Sequence, residues 1–177
     1  MKVDRVLACA LLLCCSSASI SYPRYSPVAG QLLHAHNMER HAMGAAPLVW
    51  DARLAVAADA YAAQLARTER WGHSAPHQRV NQGENLWMGT RGAFSPTRMV
   101  GDWASERRYF RPGVFPNVTR SGRWSDVGHY TQIVWPSTRA VGCSVRSSPH
   151  WDYLVCRYSV PGNVHGQRVG PIRVASR

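Results

Sequence analysis

Polar and apolar positions along the chain predict three helices, followed by a hairpin. Ser26-Pro27 is a cap followed by proline at the first helical position, opening a helix through "LLHAHNMERHAM" that stops near Gly44. Asp51 caps a second helix, in which Leu54, Ala58, Tyr61 and Leu65 step by four, three and four and so form one apolar stripe. Ser95-Pro96 opens a third on the same logic, with Met99, Trp103, Glu106 and Phe110 at the same intervals. Between the second and third, residues 68–92 carry "HSAPHQRVNQGENLWMG", which lacks helical periodicity and is punctuated by Gly, Pro and Asn; it predicts a loop-rich stretch. Glycine, arginine and proline dominate residues 111–126, a second long loop. "RAVGCSVRS" and "WDYLVCRYS" then read as strands joined by the turn Ser148-Pro149-His150, which sets Cys143 and Cys156 opposite each other on neighbouring antiparallel strands.

Two positions disturb this pattern. "GHYTQIVW", residues 128–135, is β-branched and aromatic enough to predict a strand, yet His129 stands at its mouth. A histidine beside an apolar run is usually a packed, hydrogen-bonded core residue. Glu106 occupies a stripe position where leucine would pack better, so its carboxylate either has a buried partner or bends out to solvent with Arg107 or Arg108.

A length of 177 residues suits one domain with a substantial core, and no internal repeat divides it. The opening "MKVDRVLACALLLCCSSASIS" sets Lys2 and Arg5 ahead of an apolar run from Val6 to Cys15, then small residues that fit cleavage after Ala18 or Ser21. Residues 1–21 are therefore expected to be a signal peptide, and 22–177 a single domain ending in a short basic tail. The apolar run is too short to span a bilayer as a helix, so the mature protein is expected to be secreted or extracytoplasmic, periplasmic in a bacterial cell, and not membrane-spanning. Cys9, Cys14 and Cys15 leave with the leader; Cys143 and Cys156 remain and are expected to pair in an oxidising compartment. The leader also removes Lys2, Arg5 and Asp4, one net positive charge, so the formal +11 becomes +10. For an exported monomer, that charge favours anionic cell-envelope components over nucleic acid, and no basic run interleaved with aromatics forms a nucleic-acid platform.

The motifs resemble those of the CAP superfamily: cysteine-rich secretory proteins, insect antigen 5 allergens and plant pathogenesis-related class 1 proteins, which share the SCP domain. "GHYTQIVWPST", residues 128–138, fits the first family motif, and "YLVCRYSVPGN", residues 153–163, fits the second apart from Val160. "HNMER", "GHS", "GENLW" and "WASE" follow in the expected order, so the resemblance covers nearly all of the mature chain. It implies an α+β fold, a three-layer α-β-α sandwich with a small antiparallel sheet between helices. It also implies that "HYTQ" lies in a short helical turn, against the strand reading above. The additional cysteines of plant and venom relatives are absent, so only the Cys143–Cys156 bridge carries over.

The resemblance further implies a central cleft with two histidines and two acidic residues: His73 in "GHS", Glu84 in "GENLW", Glu106 in "WASE" and His129 in "GHYTQ". Two imidazoles and two carboxylates suit a divalent transition metal, Zn2+ above all, so these four are the expected metal ligands. His77 lacks the flanking glycine and serine of His73, and His34, His36 and His41 read as surface or capping histidines. No GxSxG elbow is present, and Ser74 and Ser105 read as capping or surface hydroxyls. The one enzymatic mechanism these residues allow is a metal-dependent hydrolase with Glu84 or Glu106 as general base. The expected role is binding, with a lipid, a sterol or a cell-envelope component as ligand, as the family's range implies.

Overall fold

The computed structural model describes residues 26–171; the leader, its cleavage site and the end of the basic tail lie outside them. Each of the three predicted helices starts at the expected cap. Helix α1 spans Pro27–Met43, with Ser26 accepting from the Ala29 amide and Gly44 closing it in the left-handed region. Helix α2 spans Ala52–Thr68; Asp51 Oδ1 accepts from the amides of Arg53 at 2.7 Å and Leu54 at 3.0 Å. Helix α3 spans Pro96–Ala104 from the Ser95 cap, and the chain tightens into a 3-10 turn over Ser105–Arg108, which carries Glu106.

Strands β1 (Val49–Trp50), β2 (Gly83–Thr90), β4 (Ala140–Ser147) and β5 (Trp151–Ser159) form one sheet in the order β1-β4-β5-β2. Strands β3 (Gly113–Val114) and β6 (Arg168–Val169) make a separate small ribbon. The hairpin forms as expected, and Cys143 faces Cys156 in its register with the disulfide closed between them. The three long strands are antiparallel, as the family fold implies, but β1 joins β4 in parallel, which makes the sheet mixed.

Alternation along β5 divides the core into two layers. Tyr153 and Val155, with Leu86 of β2, pack on Ala58, Tyr61, Ala62 and Leu65 of α2. Leu154, Cys156 and Tyr158 turn to the opposite face, among Leu32 of α1, Trp103 of α3, and Tyr130 and Ile133. The result is the three-layer α-β-α sandwich.

Three expectations are corrected. Residues 83–90, taken as loop, form β2: they pair with β5 over eight rungs, and residues 83–87 are buried in succession, so no polar-apolar alternation marks the strand. "HYTQ" is helical, as the resemblance implied, within α4 (Gly128–Ile133). Two interactions, one with a distant residue and one local, override its β-propensity. The Glu106 carboxylate accepts from the amides of His129 and Tyr130, both at 3.0 Å, and so satisfies the first turn of the helix; Thr131 Oγ1 bonds back to Val127 O at 3.0 Å. His36 is no surface residue but is fully buried, with Nδ1 donating to Leu32 O at 2.7 Å and Nε2 facing Tyr158 Oη at 2.8 Å.

Candidate functional site

The cleft opens at the end of the sheet where β2 begins, beside α4. It has a volume of about 400 Å³, and both His73 and His129 line it. Adjacent residues of β2 point to opposite faces: Glu84 pairs across to Arg157, whose guanidinium lies over the Tyr61 ring of α2, whereas Asn85 faces the α1 layer and bonds Tyr158. Each face of the sheet supplies one histidine–glutamate pair.

In the first pair, His73 Nδ1 meets Glu84 Oε1 at 2.7 Å, and the Ser74 amide donates to the same oxygen at 2.9 Å. The other oxygen lies 3.1 Å from the Arg157 guanidinium, and both partners of this ion pair have side chains only 1% exposed. Burial pushes the Glu84 carboxyl up, but the His73 hydrogen bond, the Arg157 charge and the Ser74 amide outweigh it and hold the group below the usual carboxylate range. Glu84 is thus a buried anion: Oε1 accepts two hydrogen bonds, and Oε2 faces the Arg157 charge without a hydrogen-bond partner among the described residues.

In the second pair, His129 Nδ1 meets Glu106 Oε1 at 2.6 Å, while Oε2 caps α4. The His129 ring stacks on Trp103, with centroids 5.9 Å apart and 15° between planes, and its carbonyl accepts from Asn85 Nδ2 at 3.1 Å. Both anomalies of the sequence resolve together, because Glu106 leaves the packing stripe to cap the helix that carries His129.

The four expected ligands therefore divide. An ionised carboxylate can only accept, so each Nδ1 donates and, in the neutral ring, Nε2 is left with the lone pair; among the described residues no protein group bonds either Nε2. Carboxylate-bound imidazoles of this tautomer are the arrangement in which zinc-binding histidines are usually held. In ligand type the two imidazole nitrogens suit a zinc-type ion, with the carboxylates orienting the rings. Among the described residues the one group of three or more donors whose ligand atoms lie within 4.8 Å of one another is His36 with Cys143 and Cys156, not the four cleft residues, and in it the two sulfurs are bonded to each other and both ring nitrogens of His36 are engaged. His77 is exposed and does not line the cleft. Ser105 is exposed and donates to Asp102 O, as a capping hydroxyl would, whereas Ser74 is buried and meets Glu84 through its amide.

Sequence reasoning passed over Arg157, the counter-ion of Glu84, although an arginine inside the apolar run "YLVCRYS" was a visible signal. Asn85, Gln132 and Asn163 line the cleft as well. They gave no such signal, because their role is to bond backbone: Asn85 to His129 O, Gln132 to the Gly162 amide and Asn163 to Gly128 O.

A three-layer α-β-α sandwich with paired histidines and glutamates at one end of its sheet defines a secretory-protein type of domain. The model of the cysteine-rich secretory protein family (CAP) matches residues 33–158, and the chain belongs to that family. It is 35% identical over 140 residues to the pathogenesis-related protein PR-1 of Medicago truncatula, covering 78% of this chain and 76% of that protein. Pathogenesis-related protein 1C of Nicotiana tabacum is 36% identical over 136 residues, 76% of each chain. Among solved structures, NaASP2 with Zn2+ superposes with a TM-score of 0.71 at 25% identity, covering 82% of this chain and 86% of that one. BmVAL-1 gives 0.70 at 21% identity over 84% of each, a likeness of fold.

Proposed function

We propose that this is an exported, non-catalytic binding module whose cleft holds a divalent ion of the zinc type on His73 and His129 and receives a component of the cell envelope. The observation that carries the reading is the division of the site: two histidines line one cleft, each with Nδ1 on a carboxylate and Nε2 without a protein partner among the described residues. A relative of the same fold has been crystallised with Zn2+, in keeping with this donor set. When bound, such an ion supplies a Lewis-acidic centre with open positions for ligand oxygen or nitrogen. His73 and His129 would hold it, and Glu84 and Glu106 keep the Nδ1 protons in place.

The hydrolase reading has less support. A general base must be free to take a proton from water and is best poised near the working pH. Glu84 is buried against Arg157 and held in the opposite direction, and Glu106 accepts from three donors. Among the ligand classes that the family resemblance implies, the amide-rich lining favours a polar envelope component over a lipid tail or a sterol. Export rests on the leader and on the family. No helix among the described residues is long and apolar enough to cross a membrane.

Calorimetry with zinc alone tests the reading. Near-unit stoichiometry is expected, weaker at pH 5 than at pH 7.5 because protons compete for the ligands. His73→Ala and His129→Ala should each abolish binding, and His34→Ala and His77→Ala should leave it. Zinc should raise the melting temperature of the parent but not of the two defective variants. Retained affinity in both would remove the metal assignment and leave His129 as a structural histidine.

A further inference from the structure

One wall of the cleft carries a positive charge that no carboxylate balances among the described residues. Arg79 is half-buried in the lining, and its Nε donates to Ser74 O at 3.2 Å. Glu84, the carboxylate on that side, is already held by His73, by the Ser74 amide and by Arg157. Two guanidiniums thus share the field of one anion. Burial pushes the Arg157 group down and Glu84 pulls it back up, while the charge of Arg79 opposes it again. An anionic ligand would relieve this excess; a neutral one would not.

A second wall presents a flat apolar surface. Trp124, on the 3-10 turn Trp124–Val127, lines the same cleft and is 45% exposed. The indole lies close over Gly128, where an added Cβ would come within 3.1 Å of it, and its edge is braced by Phe115 at a centroid distance of 5.3 Å. The ring is held in place yet open to the cleft, where it offers a flat apolar face to a ligand. Asn85, Gln132 and Asn163 between these walls are engaged with backbone and shape the cleft, whereas Gln82 Oε1, also in the lining, is buried without a hydrogen-bond partner among the described residues.

We propose that the cleft binds an acidic saccharide, with a hydroxyl-rich ring stacked on Trp124 and its carboxylate held by Arg79. A sugar ring has an apolar face for the indole and hydroxyls for the polar surroundings, whereas an acyl chain would strip water from the amides and return nothing to Arg79. The formal net charge of +11 of the whole chain assists encounter with a polyanion. The inference rests on reading the cleft as a binding site, but it does not require the metal.

The test is calorimetric titration of the full mature chain, metal-free and zinc-loaded, at low salt. The probes are a galacturonic acid trisaccharide, the neutral galactose trisaccharide, acetate and inorganic phosphate. The acidic trisaccharide should bind about tenfold or more tightly than the neutral one, the size of a charge-assisted contact. Arg79→Gln should abolish that preference, and Trp124→Ala should weaken both saccharides several-fold while keeping their ratio. Arg53→Gln, an exposed arginine of α2, should change neither. If Arg79→Gln fails to fold, Arg79→Lys serves instead: it keeps the charge but loses the fork, and should retain only part of the preference. Equal affinity for the two trisaccharides, no binding of either, or an undiminished preference in the Arg79 variant overturns the inference. So does acetate or phosphate binding as tightly as the acidic saccharide. Zinc binding without an acidic preference defeats this inference alone, whereas an Arg79-dependent preference in a protein that takes up no zinc defeats the metal reading alone.

Discussion

Lowering the pH should unfold this protein through one buried histidine. His36 bonds a carbonyl through Nδ1, so that nitrogen carries the proton and Nε2 accepts from the Tyr158 hydroxyl, itself the acceptor of Asn85 Nδ2. Protonation would turn Nε2 into a donor aimed at that hydroxyl. Burial is the main cause that depresses its pKa to about 4; the Leu32 carbonyl opposes the shift and the charge of Arg40 adds to it. In the unfolded chain the ring titrates near 6.5, so between that value and about 4 the unfolded state binds more protons and stability rises with pH. The contribution is complete above the unfolded value and is lost as pH falls towards the folded one, a loss of about 1 kcal/mol at pH 5.5 and about 2–3 kcal/mol at pH 4.5.

Urea unfolding followed by tryptophan fluorescence at pH 7, 5.5 and 4.5 measures this directly, with His36→Gln as reference because glutamine stays neutral throughout. The variant should be weaker at pH 7, where it lacks the native geometry. Its stability should then fall less steeply than the parent's, by about 2 kcal/mol between pH 7 and 4.5. The comparison removes the carboxylates, including Glu84, because they titrate in both proteins. Parallel pH profiles would refute the assignment of a neutral buried His36.

Glu106→Leu, which suits the apolar stripe, should nevertheless cost about 2–3 kcal/mol in urea unfolding by orphaning the His129 and Tyr130 amides, and Glu106→Gln about half of that; a change below about 0.5 kcal/mol in both would mean that the cap contributes nothing. Gly142→Ala should destabilise by about 2 kcal/mol or more, because its Cβ would collide with Ala55 N and lie 2.5 Å from Asp51 O, backbone atoms at the start of α2; an unchanged melting curve would refute that close packing. Cys143 and Cys156, thirteen residues apart, should give no free thiol when the unreduced protein is unfolded, and the double serine variant should lose about 3 kcal/mol; two reactive thiols per chain would refute the bridge.

The sequence was most informative where local chemistry decides structure. The caps Ser26, Asp51 and Ser95 and the hairpin that aligns the cysteines act over a few residues, and each is where the pattern puts it. It was least informative where distant partners override local preference. β2 exists because β5 pairs along its whole length, and α4 is helical because a carboxylate more than twenty residues away closes its first turn. Periodicity alone marked Glu106 and His129 as odd but could not join them; the family motifs supplied the set of four residues, and geometry then divided it into open rings and engaged carboxylates. Arg79 and Trp124 had no signature, since an arginine in a polar loop and a tryptophan beside a glycine are ordinary until they line one cavity.

The two imidazoles of the cleft are not held equally, and the difference follows from where each sits. His129 has its Nδ1 on Glu106, its face on Trp103 and its carbonyl on Asn85, and Asn85 leads through Tyr158 to His36 in the core. Trp103 also meets His36 edge-on at 6.2 Å, so one indole is shared between the buried histidine and the open one. His73 lies on a loop between α2 and β2, its side chain is 53% exposed, and it is anchored by the bond to Glu84. A ligand that needs both rings therefore finds His129 packed on several sides and His73 held mainly by one bond, so the larger share of any ordering cost falls on the His73 side. Arg79 lies on that same side, six residues further along the loop, and its bond to Ser74 O ties it to the backbone next to His73. An anion held by Arg79 would restrain the more exposed half of the site before an ion is bound, which would make the two occupants mutually favourable through the loop they share.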